Sequence, residues 1–214
     1  ENNFLEAFSL NPRPERLAEE LGRRYEVMST NIKKFSVGSP IQAPLDAILR
    51  LHREHGLTAD NVESIVVRLP EDGARVVNNR AMPDVNCQHV IALALVEGGV
   101  SFDDSHSYEK MADPRIRAVK ERVTLVPDRE LMDPAAPRSG KVEVKLRDGR
   151  TVSHFTRHAP GTKENPMDTA RVNEKARHLM APVLGVERTE EVIRRVNVLE
   201  RLADVRELRP FLAG

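Results

Sequence analysis

Two hydrophobic periods alternate along the chain, and together they mark out most of its elements. From Pro40 to about His55 the apolar residues Ile41, Leu45, Ile48 and Leu49 recur at helical spacing, and Gly56 offers a left-handed stop. Val62 to Leu69 instead gathers the β-branched residues Val62, Ile65, Val66 and Val67 ahead of Pro70, which predicts a strand. Val85 to Val96 is rich in Ala, Leu, Val and Ile with little polar relief, so it reads as a helix buried on most of its surface and ended by Gly98-Gly99. Asp113 to Arg122 places Ile116, Val119 and Val123 at helical spacing, and Thr124 to Pro127 reads as a short strand. Lys141 to Arg147 alternates strictly, Asp148-Gly149 is a two-residue turn signal, and Thr151 to Thr156 returns as a hairpin partner. After Pro166 come amphipathic helices over Thr169 to Met180 and Thr189 to Leu202. Nearer the start, Pro14 to Arg24 reads as a short helix and Tyr25 to Phe35 as an extended run. With no repeated βαβ rhythm, the fold class is α+β: a partly antiparallel sheet with flanking helices, followed by C-terminal helices.

Composition narrows the partners. The chain has 214 residues, with 33 basic and 33 acidic side chains, so the formal net charge is zero. Nothing favours nucleic acid or an anionic membrane as partner, and any anion binding must come from local positive charge. Aromatic residues are only 4% with no Trp, which argues against a stacking platform. The single cysteine, Cys87, excludes an internal disulfide and reads as core packing. No apolar run approaches the roughly 20 residues that span a bilayer, and no signal-peptide pattern opens the sequence, so a cytoplasmic location is expected. No glycine-rich phosphate loop is present, and no nucleotide cofactor is indicated.

Candidate chemistry concentrates in Ile32 to Ala47. Ser39 can cap the following helix with its hydroxyl, Pro40 suits the first helical position, and amides at a helix start attract negative charge. With Lys33 and Lys34 just upstream and Gln42 one turn in, a carboxylate-bearing small molecule could be held there. The competing reading is a capped surface helix with solvated lysines. Lys34 is the weaker of the two lysines, because neighbours on an extended segment point to opposite sides. His89, within the buried-type helix, is either a satisfied core histidine or an acid–base group. His106 after Asp103-Asp104, the pair His52 and His55, and the pair His154 and His158 lack the spacing of a metal site.

Lys33-Lys34-Phe35 resembles the Lys-x-aromatic-Pro stretch of the MmgE/PrpD family, which includes 2-methylcitrate dehydratase and cis-aconitate decarboxylase. Ala92 to Gly98, then Asp113-Pro114, resemble that family's Ala-rich helix ending in acid-Gly and its basic helix; Glu164-Asn165-Pro166-Met167 and Met180 to Gly185 resemble a third block. Two departures stand out: Ser36 replaces the family's proline, and Gly38 and Gln42 stand where many members carry cysteine and histidine. The resemblance implies a cofactor-independent lyase, a dehydratase or decarboxylase, or an isomerase such as an epimerase. Its substrate would be a small di- or tricarboxylic acid such as 2-methylcitrate, as in propionate metabolism. It assigns Lys33 and His89 as catalytic candidates and Lys34, Ser39 and Gln42 as substrate-binding candidates. It implies a lid-like α+β domain over residues 1–165 and C-terminal helices over 166–214 that return to an N-terminal all-helical region, on this chain or a separate one. The complete enzyme is expected to be a homodimer, and this chain to be its C-terminal portion, inactive alone. The alternative is a non-catalytic accessory subunit that completes a separate helical chain.

Overall fold

The computed structural model describes residues 3–212, and the chain divides into the units Glu1–Asn31 and Ile32–Gly214. In the first unit a helical turn, Phe4–Phe8, is capped by the Asn3 side chain, which accepts from the Glu6 amide, and 3-10 turns follow at Pro14–Ala18 and Glu26–Ser29. The helix expected over Pro14 to Arg24 therefore stops early, and the extended run from Tyr25 is interrupted by a turn. Leu17 and Leu21 stay 71% and 80% exposed, so no burial supports a longer helix, and the positive φ values of Glu20 and Gly22 break its path.

The second unit is built on a four-stranded sheet, and its fold is α+β. In chain order its principal elements are α1 (Gln42–His55), β1 (Val62–Pro70), α2 (Glu71–Val77), α3 (Cys87–Glu97), α4 (Pro114–Lys120), β2 (Val123–Asp128), β3 (Gly140–Leu146), β4 (Thr151–Thr156), α5 (Thr169–Leu184) and α6 (Val186–Val196). The spatial order is β2-β1-β3-β4; β1 runs parallel to β2 and antiparallel to β3, and β3 is antiparallel to β4. One face of the sheet is apolar, with Val62, Ile65, Val67 and Leu69 of β1 and Val142, Val144 and Leu146 of β3 buried. Against it pack α1 and α3, whose Leu45, Ile48, Ile91 and Leu93 are fully buried, as is Ile41 just ahead of α1.

Helix boundaries follow from local chemistry. Gly56 and Gly98 take left-handed conformations after α1 and α3, as the sequence predicts. Asp113 caps α4 by accepting from the Arg115 amide, and Asp168 caps α5 by accepting from the Arg171 amide. The hairpin turn is longer than the expected two residues. Gly149 donates to the Leu146 carbonyl while the Leu146 amide donates to Arg150, enclosing Arg147, Asp148 and Gly149 in a three-residue loop. Gly149, at φ 89°, supplies the left-handed residue that such a loop requires. No helix among the described residues is long and apolar enough to cross a membrane.

Candidate anion site

Residues 32–38 form no strand or helix, yet their backbone is held from several directions. The Ile32 amide donates to the Gly161 carbonyl at 2.8 Å, and the Gly38 amide to the Asp84 carbonyl at 2.8 Å. Gln42, buried on α1, accepts from the Phe35 amide at 3.2 Å and donates to the carbonyls of Phe35 at 2.8 Å and Val37 at 3.2 Å. Lys175 of α5 donates to the Lys33 carbonyl. Gln42 thus acts as a clamp on the loop, with both ends of its side-chain amide engaged. Replacing it with Leu keeps the volume but leaves the Phe35 amide and carbonyl unpaired, while the Val37 carbonyl keeps Lys33. A Gln42→Leu variant is therefore expected to lose about 3 kcal/mol of stability, read from a denaturant midpoint shift at constant slope.

Ser39 does not cap the helix. The chain enters α1 through a 3-10 turn, Ser39–Ile41, whose preceding residue is Gly38, and no side chain caps either segment. A serine inside the first turn lacks the extended backbone that aims a cap hydroxyl at the following amides. Ser39 is instead exposed to solvent. The amides of Phe35 and Gly38, just upstream of the helix start, are spent on Gln42 and Asp84.

The lysines diverge as neighbours on an extended segment do. Lys33 folds its Nζ along the loop to donate to the Val37 carbonyl at 3.0 Å. Lys34 points into a cleft of about 730 Å³ between α1 and α5, with its Nζ 3.6 Å from Asp46 and 4.8 Å from the centre of the Phe35 ring. From α5 the cleft receives Arg171, Lys175 and His178, and from α1 it receives Arg50 and Arg53. Burial pushes Lys175 below the usual lysine range, and the neighbouring positive charge of Lys33 adds to the effect. The structure therefore gathers Lys33, Lys34 and Gln42 with a basic group on α5 that the sequence reading did not single out. Its signal was present: Arg171, Lys175 and His178 stand at i, i+4 and i+7, one face of a helix.

The turn after β4 completes the support. Gly161 accepts from Ile32 and donates to the Asn165 carbonyl, and Asn165 in turn donates its side-chain amide to the His158 carbonyl. A Cβ at Gly161 would lie 1.8 Å from the Ile32 carbonyl oxygen, so only glycine permits this approach.

His89 lies apart from this cleft. It is fully buried in the first turn of α3, where its backbone amide donates to the capping Asn86 side chain at 3.0 Å, and neither ring nitrogen has a partner. Burial, helped by the charge of Lys120, pushes its pKa down to about 4, so the ring is neutral at pH 7. The core position agrees with the sequence reading, whereas the expected satisfaction of the ring does not hold. Cys87 is buried beside it, and desolvation pushes its thiol up to about 12, far from a reactive thiolate. His106 is tied into its own turn, with Nδ1 3.0 Å from the Ser105 hydroxyl and 2.9 Å from the Phe102 carbonyl. Among the described residues no group of three or more His, Cys, Asp or Glu side chains is placed to hold a metal ion.

Comparison with known proteins bears on the same region. The family model described as the MmgE/PrpD C-terminal domain matches residues 35–201. Over 133 residues the chain is 28% identical to a mitochondrial 2-methylcitrate dehydratase of Yarrowia lipolytica, covering 56% of this chain and 25% of that protein. Over 218 residues it is 23% identical to a cis-aconitate decarboxylase-like protein of Aspergillus oryzae, covering 94% of this chain and 44% of that protein. The chain thus spans less than half the length of these curated relatives.

Proposed function

The chain belongs to the MmgE/PrpD family, and from that premise we propose that it supplies the Lys33-bearing part of a lyase acting on a small di- or tricarboxylic acid. The observation that carries this reading is the pinned Lys33 loop, with the ammonium groups of Lys34 and Lys175 beside it. Loss of water or carbon dioxide from a polycarboxylate builds negative charge next to carboxyl groups, and preorganised cations stabilise that charge without reorganising during the reaction. Lys33 meets a substrate carboxylate by exchanging its hydrogen bond with the Val37 carbonyl for a charge-assisted one. Gln42 holds the loop in position, and the replacement of histidine by Gln42 leaves this site without an imidazole at that position, which points to a substrate other than methylcitrate.

The remaining acid–base groups belong to a helical region outside this chain. Supporting that reading, α5 and α6 enclose an apolar groove of about 430 Å³ lined by Val172, Ala176, Met180, Val192, Ile193 and Val196. Such a surface suits a packed helix better than water. This groove equally serves the alternative in which the helical part is a separate polypeptide.

Lys33→Met in the complete enzyme tests the proposal. Loss of one charge-assisted contact is expected to lower kcat/KM roughly tenfold to a hundredfold on the enzyme's own carboxylic acid, with the fold intact because Lys33 is exposed. Wild-type kcat and KM in that variant would sink the assignment of Lys33.

A further inference from the structure

We propose that Lys175, on the wall of the cleft between α1 and α5, is a site of covalent acylation by small acyl phosphates. Every lysine competes for such a reagent, and the structure sets this one apart by its surroundings. Lys34 is committed to Asp46, Lys110 to Glu97 and Lys145 to Glu63. Lys175 has no ion-pair partner among the described residues, and its Nζ is held instead by the uncharged Lys33 carbonyl. An amine held by a neutral acceptor can give up one proton and keep that hydrogen bond, because two N–H donors remain.

Reactivity follows from the same placement. Only the neutral amine attacks a carbonyl carbon, and an ordinary lysine is neutral in about one molecule in a thousand at pH 7.5. Burial against the cleft wall and the charge of Lys33 both disfavour the ammonium of Lys175, which enlarges that reactive share. The side chain is only half-buried and lines the open cleft, so the amine remains within reach of a small reagent.

The cleft also selects the reagent. Arg171 stands one helical turn before Lys175 on the same face of α5, and Arg53 enters from α1. Neither has an ion-pair partner among the described residues, and guanidinium groups suit the oxygens of a phosphate. With the phosphate on these groups, the neutral Nζ attacks the acyl carbon. The bond from that carbon to the phosphate oxygen breaks with its electron pair, and the leaving phosphate takes the proton that Nζ loses. The product amide keeps one N–H for the Lys33 carbonyl but carries no charge. Acylation thus removes a cation beside the Lys33 loop without untying the loop. A fall in turnover would rest on the role proposed above for Lys33, whereas the acylation itself does not.

Acetyl phosphate is the probe, incubated with the whole chain at pH 7.5 and low salt, where screening of such partly open charges is weakest. Acetylation at each lysine is followed by peptide mass spectrometry, with the exposed Lys163 as internal reference. Lys175 is expected to react about tenfold faster than Lys163. Arg171→Gln should slow Lys175 about threefold or more with acetyl phosphate, and leave its rate with the uncharged ester p-nitrophenyl acetate unaltered. Arg171 is exposed, so an unchanged melting temperature will separate lost recognition from lost folding. The proposal is overturned if Lys175 reacts no faster than Lys163, if Arg171→Gln reacts with acetyl phosphate as wild type does, or if that variant slows equally with both reagents. None of these readouts involves turnover. A catalytically silent Lys33 would leave the proposal standing, and an unreactive Lys175 would leave the role of Lys33 untouched.

Discussion

A Gly161→Val variant is expected to free the segment that presents Lys33 while leaving the sheet and its helices folded. The added Cβ would sit 1.8 Å from the Ile32 carbonyl oxygen and 2.9 Å from its carbon, so backbone must move against backbone. Gly161 also has φ 95°, a conformation that a β-branched residue resists. Strain and clash together exceed what the hydrogen bonds of the turn return, and the cheapest relief is to give up the bond between the Ile32 amide and the Gly161 carbonyl. We expect a local loss of about 3 kcal/mol, seen as a roughly hundredfold fall in hydrogen-exchange protection of the Ile32 amide. Global stability should fall less, because the buried cluster from Val37 to Leu146 does not include this turn. Gly149→Ala is the control: its φ is 89°, but nothing lies within 4 Å of an added Cβ, so it should strain the hairpin without touching Ile32. Unchanged protection at Ile32 in Gly161→Val would show that the contact does not position the Lys33 loop.

Elements whose identity rests on neighbouring residues were legible in the sequence. The period of Ile41, Leu45 and Ile48 marks α1, the unbroken apolar run marks α3, and the alternation from Lys141 marks the hairpin. The parallel pairing of β1 with β2 was not, because Ile65 meets Val123 across a long crossover whose geometry no local pattern encodes. Helix α2 was missed because Glu71-Asp72-Gly73 after a proline reads as a turn. It forms because Ala74 and Val77 find the core and Gly73 lets Pro40 approach, 3.2 Å from where a Cβ would stand.

The anion site divides along the same line. Lys33, Lys34 and Gln42 were visible as a local motif, although the sequence offered Gln42 to a ligand and the fold spends it on Phe35 and Val37. The face bearing Arg171, Lys175 and His178 was visible as a spacing. Its meaning depends on α5 returning to residue 33, 142 positions earlier, where Lys175 meets the Lys33 carbonyl. A basic helix face with no partner in view is ordinarily a solvated one, and only tertiary contact separates the two cases.

His89 leads to the other large expected effect, a loss of stability between pH 6.5 and pH 4. An imidazole in the unfolded chain titrates at the ordinary value of 6.5, whereas burial, aided by Lys120, holds the folded one at about 4. Above pH 6.5 both states are neutral and the group contributes its full share. As the pH falls through the window, the unfolded state takes up a proton that the folded state refuses, and stability declines until the folded pKa is passed. The whole window is worth about 3 kcal/mol. The strongest carboxylate effect acts elsewhere: Glu191, held near pKa 2 by hydrogen bonds from Arg194 and Arg195, changes only below its ordinary value of 4.5. Its partners are on the surface, where such pairs contribute little. Since neither ring nitrogen is hydrogen-bonded, His89→Leu removes a buried polar cost as well as a titrating group. The variant should therefore match or exceed the wild type at pH 7.5 and lose most of the slope between pH 6.5 and pH 4 in urea unfolding. A slope that persists in His89→Leu would place the acid sensitivity on another group. Turnover that disappears in the complete enzyme, despite retained stability, would instead mean that the buried ring reaches substrate during catalysis.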